Sequence, residues 1–312
     1  YPVAFTLGSI SVIFGYFVFG LDFFNLLPMR IWGVMSNYVL IAVPLFIFMG
    51  VMLEKSGIAE ELLETMSLLF GKLHGGLAIS VLVVGAMLGA STGIVGATVV
   101  TMGVLSLPVM LKRNYHPKTA TGIIMASGTL GQIIPPSIVL VLLGSVMNVS
   151  VGNLFIAAVI PGFILVLFYF IWLVIQTFTS PANMPAMPSD ELKKFKGKER
   201  LIKVINAFIL PFILVFAVLG SIFFGIASPT EAAGVGALGS ILLTVQRKKF
   251  NYQTLKSVMM KTTSITSMAF MILVGASAFA LVFRGLHGDR YLTELILNSA
   301  LEPHHFLIIV ML

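Results

Sequence analysis

Hydrophobic and polar positions along this chain fall into blocks, with long apolar runs separated by short polar linkers. A membrane-spanning helix needs about 20 apolar residues, which predicts full spans at about 3–24, 37–54, 151–176, 204–225, 231–246 and 262–283, and another beginning near 305. The segment 231–246 is short and rich in Gly and Ala, which suits close packing against other helices. The pattern therefore predicts an all-α, polytopic membrane protein.

Two regions fit poorly as simple spans. Residues 77–90 and 94–110 are each short and are joined by Ser91-Thr92-Gly93, while 119–131 and 137–149 are joined by a segment that contains Pro135-Pro136. A proline pair cannot continue a helix, because two amide donors are missing and the first ring clashes with the preceding turn. Irregular backbone in hydrocarbon survives only where protein or a polar cavity covers it. We interpret 77–110 as a re-entrant hairpin and 119–149 as one broken span.

The distribution of basic residues predicts the orientation. With Tyr1 placed inside, sixteen of the nineteen Lys and Arg residues fall on one side, in the linkers 54–76, 111–118, 177–203 and 247–261. Only Arg30, Arg284 and Arg290 fall on the other side. Because cytoplasmic loops carry the excess of basic residues, those four linkers are expected to face the cytoplasm.

Composition supports the membrane class and excludes others. Hydrophobic residues make up 58% of the chain and charged residues 10%, and the mean hydropathy is +1.05. The net charge of +7 lies in short loops, which is a membrane-orientation pattern and does not indicate nucleic-acid binding. The sequence has no cysteine, so disulfides, a thiol nucleophile and thiolate metal sites are excluded.

Two linkers have a pattern of their own. The linker 177–203 contains three prolines followed by a charged stretch, and we expect a solvated cytoplasmic loop with a short amphipathic helix. Residues 54–72 predict a second surface helix. Its apolar face would consist of Ile58, Leu62, Leu63, Met66 and Leu69, and its acidic face of Glu60, Glu61 and Glu64.

The first candidate site is the hairpin tip, Gly89 to Thr98. Small residues and hydroxyls there would leave carbonyl and hydroxyl oxygens free to bind a hard cation. The start of the returning helix, near Thr92, would direct free amides at an anion. The alternative is a packing seam of small residues between membrane helices, which is common.

The second candidate site is the segment from Ala126 through Gln132 into Pro135-Pro136-Ser137. Interrupted helices expose carbonyls on one side of the break and amides on the other, and Gln132 and Ser137 add neutral oxygens. The alternative is an ordinary loop between two helices. Discontinuous helices in pairs are how secondary transporters build ion and substrate sites, so the two segments together indicate a transporter.

Glu231 is the carboxylate that has long apolar stretches on both sides. An intramembrane acid is a candidate for a coupling or proton role. However, Ser228-Pro229-Thr230-Glu231 has a serine N-cap, proline at the first helical position and glutamate at the third, which predicts a structural capping box. The five histidines lie in or beside loops, and sodium needs only neutral oxygens, so sodium coupling is favoured over proton coupling.

Several strings in the chain resemble the large membrane subunit (DctM type) of TRAP, tripartite ATP-independent periplasmic, transporters. These strings are Val43-Pro44-Leu45-Phe46, Gly75-Gly76-Leu77, the Gly89–Ala97 tip, Ala126-Ser127-Gly128, Ile134-Pro135-Pro136-Ser137-Ile138, Ile160-Pro161-Gly162 and Ser228-Pro229-Thr230-Glu231-Ala232-Ala233. The resemblance implies two inverted repeats, each with a re-entrant hairpin and a broken helix, and an elevator mechanism of the ion-transporter superfamily. It also implies a bacterial inner-membrane location, sodium coupling, a small four-helix membrane partner, and a periplasmic binding protein that delivers organic anions.

The resemblance also implies a sodium site and a domain organisation. The sodium site would use Ser91, Thr92, Gly93, Gly131, Gln132, Pro135 and Pro136, mainly through backbone oxygens, with Ser91, Thr92 and Ser137 on the substrate side. No cofactor and no other metal is implied. The first repeat would occupy 1–176, the cytoplasmic linker 177–203 and the start of the second repeat 204–312, with the second hairpin expected beyond Leu312.

The leading hypothesis is a sodium-driven permease subunit that imports small carboxylate anions. A single-component carrier of the same superfamily is the alternative within transport. An intramembrane enzyme would need buried Ser/His, Asp pairs or a metal cluster within the spans, and no such pattern is present in the sequence. A purely structural membrane protein is disfavoured too, because broken helices are costly without a ligand.

Overall fold

The computed structural model describes residues 3–92, 95–188 and 198–298, together with 302, 304–306 and 308, and leaves out the side chains of 90–92, 97 and 198–207. The described residues form helices and no strands. The α-helices are α1 (Val3–Phe19), α2 (Asp22–Met35), α3 (Ala42–Lys55), α4 (Ile58–Phe70), α5 (Gly76–Thr92), α6 (Val95–Lys112), α7 (Pro117–Thr129), α8 (Ile138–Met147), α9 (Val151–Thr179), α10 (Lys198–Phe223), α11 (Pro229–Gln246), α12 (Tyr252–Gly285) and α13 (Gly288–Asn298). Short 3-10 turns cover Tyr38–Ile41, Leu130–Gln132 and Pro181–Asn183.

The chain divides into two compact units, Tyr1–Asn37 with Ser267–Leu312, and Tyr38–Thr266. In the first unit α1 ends at Phe19, because Gly20 has φ +62° and turns the chain into α2. The predicted span 3–24 is therefore two helices. Gly15 leaves room for the buried ring of Phe23, since a Cβ at Gly15 would lie 2.5 Å from that ring.

In the second unit, α3 packs along α11. Helix α3 is apolar on all sides up to Leu53 and most of its residues are buried, as expected for a helix surrounded by protein. Gly236 of α11 allows the close approach, because a Cβ there would lie 2.6 Å from the sulfur of Met49. Phe46 of α3 also makes an edge-on contact with Phe155 of α9, with ring centroids 6.3 Å apart.

Helices α5 and α6 flank α7. They contain 17 and 18 residues, slightly more than the arms predicted from the sequence and at the lower end of what crosses a bilayer. A re-entrant path for this pair stays a prediction. Helix α7 ends at Thr129 and α8 begins at Ile138, so a helix break lies at the predicted Pro135-Pro136 segment.

Among the described helices, three are long and apolar enough to cross a membrane: Tyr38–Lys55, Val151–Thr179 and Tyr252–Gly285. Helix α9 exposes large apolar side chains such as Phe163 (69%) and Phe178 (81%), which suits contact with lipid. These helices confirm the predicted all-α, multi-pass membrane protein. Helix α12 begins earlier than the predicted 262–283 span, at Tyr252.

The predicted surface helix at 54–72 is α4, and it is better covered than expected. Four of its apolar residues, Ile58, Leu62, Leu63 and Met66, are buried, whereas Leu69 is 42% exposed. Helix α4 packs against α5 and α10. On the opposite face, Glu61 pairs with Arg247 at the end of α11.

Residues 180–187, here called the linker strap, depart from the solvated loop that was predicted for 177–203. Residues 189–197 of that linker lie outside the described residues, so its short amphipathic helix stays a prediction. Met184 and Met187 are buried, and three backbone hydrogen bonds join the strap to neighbouring loops. The amide of Gly75 donates to the carbonyl of Met184 at 2.9 Å, His116 to Asn183 at 3.0 Å, and Met187 to Gly71 at 2.9 Å. The strap docks because loop amides need acceptors and two methionines supply apolar surface to bury.

Candidate functional site

The break between α7 and α8 lies against α5 and α6, the helices of the predicted hairpin, along a seam of small residues. A Cβ at Gly85 of α5 would lie 2.5 Å from the Cβ of Ser127. On the α6 side, a Cβ at Gly128 would lie 3.0 Å from both the Cα and the amide nitrogen of Val99. The C-terminal end of α7 is therefore held between the two helices by backbone contact, as small residues allow in membrane helices.

The closest approach in this seam joins Gly89 of α5 to Gly131. A Cβ on Gly89 would lie 2.6 Å from both the Cα and the amide nitrogen of Gly131, and a Cβ on Gly131 would collide with the Gly89 backbone. The contact is main chain against main chain, so no side-chain movement can relieve an added methyl group. The structure thus brings the predicted site residue Gly131 against α5, near the C-terminal end of that helix.

Within the break, two backbone carbonyls already have donors. The amides of Ile133 and Ile134 donate to the Leu130 carbonyl at 3.1 and 3.0 Å. The Ser137 hydroxyl donates to the Gln132 carbonyl at 2.6 Å and accepts the Leu140 amide at 3.5 Å. Ser137 is fully buried and caps α8, so the structure places this predicted substrate-side residue in a structural position.

Two hydroxyls near the break were part of the predicted segment but were not singled out as ligands. The Ser127 hydroxyl donates to the Ile124 carbonyl at 3.0 Å, and the Thr129 hydroxyl donates to the Ala126 carbonyl at 2.8 Å. Each hydroxyl donates its proton to a backbone carbonyl of the preceding turn, and its oxygen can still accept a hydrogen bond or bind a cation. The sequence signal for both was their position just before the predicted break, next to Gly131.

The remaining predicted site residues are placed only in part. Ser91 and Thr92 are the last residues of α5, but their side chains and Gly93 lie outside the described residues. The Gln132 side chain is exposed, and the Pro135–Pro136 peptide is cis with both prolines buried. The structure therefore joins the end of α5 to Gly131 and Gln132, while any contact made by the tip side chains stays a prediction.

The predicted capping box at Ser228 is present at the start of α11. The Ser228 amide donates to the Glu231 carboxylate at 2.7 Å, and the Glu231 amide donates to the Ser228 hydroxyl at 3.3 Å. Pro229 occupies the first helical position, as predicted. This carboxylate is thereby engaged by its own helix N-terminus.

A cavity of about 550 Å³ lies beside the break, between α5, α9 and α10. Apolar side chains line it, among them Ile134, Pro135, Phe163 and Phe216. Its described lining offers no polar side chain to a charged solute, and burying an unpaired charge is strongly unfavourable. The small-residue seam is therefore the better candidate for an ion or anion site.

Helices long and apolar enough to cross a membrane identify this chain as a multi-pass membrane protein, and an interrupted helix among them is typical of transporters. The comparison with known families identifies it further. The chain belongs to the family described as "Tripartite ATP-independent periplasmic transporter, DctM component", which matches residues 1–312. The predicted resemblance to the TRAP large permease subunit is thus confirmed.

The names of individual relatives mention different substrates. The chain is 30% identical to the C4-dicarboxylate TRAP transporter large permease protein DctM of Pseudomonas aeruginosa, over 94% of this chain and 67% of that protein. It is 26% identical to the sialic acid TRAP transporter large permease protein SiaM of Vibrio cholerae, over 92% of this chain and 65% of the relative. It is 29% identical to the ectoine TRAP transporter large permease protein TeaC of Halomonas elongata, over 90% and 64%. The chain thus spans about two thirds of the length of these relatives.

Proposed function

We propose that this permease imports small organic carboxylate anions together with sodium, in the bacterial inner membrane. A periplasmic binding protein would deliver the anion, and a small four-helix membrane subunit would complete the transporter. The hairpin and the broken helix would carry the site across the membrane in an elevator movement. The observation that carries this proposal is the backbone contact of Gly89 with Gly131, which joins two interrupted elements at one point.

The chemistry of the seam supports sodium as the coupling ion. Sodium needs neutral oxygens, and the ends of interrupted helices supply them as backbone carbonyls. Our proposed ligands come from the hairpin end and from the break: Ser91, Thr92, Gly93, Gly131, Gln132, Pro135 and Pro136. Ser127 and Thr129 add hydroxyl oxygens beside them.

The substrate would approach the same region from the hairpin side. We place Ser91 and Thr92 there, because the start of the returning helix would offer amides to a carboxylate. Relatives named for C4-dicarboxylate, sialic acid and ectoine indicate that substrate choice varies within the family. A small carboxylate is our first choice as substrate, since the relative from Pseudomonas aeruginosa, which is 30% identical, is named for C4-dicarboxylates.

The single-component alternative is less well supported, because the matching family is named as a component of a tripartite transporter. Reconstituted uptake distinguishes the two. A tripartite system needs all three proteins, and removal of the binding protein or of the small subunit should abolish uptake. Full uptake by the permease alone would favour the single-component alternative.

The test of the site is sodium-dependent uptake by the full-length permease with both partners in proteoliposomes. We expect Gly131→Ala to weaken uptake and to raise the sodium concentration at half-maximal rate, because a methyl group there separates the break from α5. The matched control is Gly122→Ala, on the preceding helix α7 and with open space around its Cβ position. Equal sodium dependence in both variants would contradict the site, and uptake independent of sodium would contradict the coupling.

A further inference from the structure

Glu54, near the end of α3, joins three helices through one carboxylate. The ammonium of Lys261 on α12 donates to both carboxylate oxygens of Glu54, at 2.9 and 3.1 Å. The Thr101 hydroxyl of α6 donates to one of the same oxygens at 3.1 Å. The Glu54 side chain is only 16% exposed, so these contacts form largely away from solvent.

Lys261 holds the Glu54 carboxylate in place, and Thr101 donates a hydrogen bond to the carboxylate in that position. The ammonium contacts both carboxylate oxygens and anchors Glu54 beside α12. Each oxygen keeps acceptor capacity, so one of them also accepts from Thr101 of α6. A buried ion pair is weak support for stability, because apolar residues of the same size do at least as well. Such a pair instead provides a directional contact that can form and break at a defined position.

Thr101 is connected to the candidate site through its own helix. Val99 lies two positions earlier on α6, and its backbone faces Gly128 at the end of α7. The same short stretch of α6 therefore meets the helix break on one side and Glu54 on the other. A shift of α6 relative to α3 would change both contacts together.

We propose that Glu54 is a positioning residue that docks the hairpin helix α6 in this conformation, and that the Thr101–Glu54 hydrogen bond opens when the hairpin moves. The inference rests on the proposed transport function, which requires that movement. Lys261 holds the carboxylate in place for the docking. Glu54 needs no contact with the transported ion or anion for this role.

The experiment measures the distance between α3 and α6 in the purified full-length permease with its small membrane subunit. Spin labels are attached to Lys55→Cys and Lys112→Cys, two exposed positions near the ends of these helices. Residues 1–312 contain no cysteine, so this part of the permease adds no competing thiol. Pulsed electron paramagnetic resonance then gives the populations of docked and undocked α6.

We expect Thr101→Val to shift the docked to undocked ratio by about tenfold, the effect of losing one hydrogen bond to a charged group. Thr101→Ser keeps the hydroxyl and should match the wild type. The control is Thr121→Val, because among the described residues the Thr121 hydroxyl bonds within α7, to the carbonyls of Pro117 and Lys118. An unchanged ratio in Thr101→Val, or an equal shift in Thr101→Ser, would overturn the proposal.

If Thr101→Val fails to fold, Glu54→Gln tests the same bond from the acceptor side. It keeps an oxygen for Thr101 but removes the charge, so we expect a smaller shift in the same direction. An unchanged ratio would again overturn the docking role. The distance measurement needs no transport, so it decides this inference even if sodium-dependent uptake fails and the proposed function falls.

Discussion

Ser137 and Gln132 close the helix break from inside, with the Ser137 hydroxyl 2.6 Å from the Gln132 carbonyl oxygen. The same hydroxyl accepts the Leu140 amide and so begins α8. One side chain thus sets the end of the break and the start of the next helix. It also fixes the direction in which the Gln132 carbonyl points, beside the backbone contact at Gly131.

Replacing Ser137 with Ala should destabilise the protein more than the loss of an N-cap alone. The cap contributes about 1 kcal/mol, and the carbonyl left without its donor adds about 1–3 kcal/mol. Ser150→Ala is the matched control, since Ser150 caps α9 through the Asn153 amide and is exposed. The measurement is the thermal unfolding midpoint of the purified permease, and equal midpoints for the two variants would contradict the account.

The linker strap should stabilise the base of the hairpin. Met184→Ala removes a fully buried side chain and should cost about 2–4 kcal/mol, whereas Met147→Ala, 59% exposed, should cost little. The direct measurement is hydrogen exchange at the Gly75 amide, which donates to the Met184 carbonyl. We expect faster exchange in Met184→Ala alone, and the same exchange rate in both variants would show that the strap is not a support.

The Glu61–Arg247 pair joins α4 to the end of α11, and a double-mutant cycle measures it. Glu61 is 38% exposed, so solvent screening limits the expected coupling energy to about 1 kcal/mol. The control cycle uses Glu64 on the exposed side of the same helix with Arg247. A coupling energy for Glu64–Arg247 as large as that for Glu61–Arg247 would mean that the Glu61–Arg247 ion pair makes no specific contribution to stability.

Glu231→Gln should leave transport intact, because the amide oxygen can still accept the Ser228 amide at the start of α11. Ser228→Ala should destabilise the permease more, since it removes the hydroxyl that accepts the Glu231 amide. The measurements are uptake at several sodium concentrations and the unfolding midpoint. Uncoupled uptake in Glu231→Gln with normal expression would assign this carboxylate a transport role.

The features that the sequence predicted best are those determined by residues close together in the chain. Pro135-Pro136 removes two helix donors wherever it occurs, and Ser228 with Glu231 forms a capping box within four residues. Helix ends, in contrast, were predicted less accurately. Helices α5 and α6 are longer than the predicted arms, and the turn at Gly20 divides the span expected at 3–24. Its positive φ is a backbone property that an apolar run conceals.

The features that sequence missed depend on distant partners. Glu54 and Lys261 lie 207 positions apart, and each was expected to sit in a cytoplasmic linker. The strap was missed because a proline-rich linker with few apolar residues indicates solvent, although two methionines and three backbone donors and acceptors suffice to dock it. The sequence shows that Ser137 has a hydroxyl. Only the folded break shows that this hydroxyl donates to the Gln132 carbonyl.

The facing glycines at 89 and 131 restrict how this protein can diverge. A tight contact between two side chains can be repaired by making one partner smaller when the other grows. Here both partners are already the smallest residue, and each would strike the other's main chain. Neither position can compensate for the other, so any revertant of a Gly131 substitution should map to residues that reposition a whole helix.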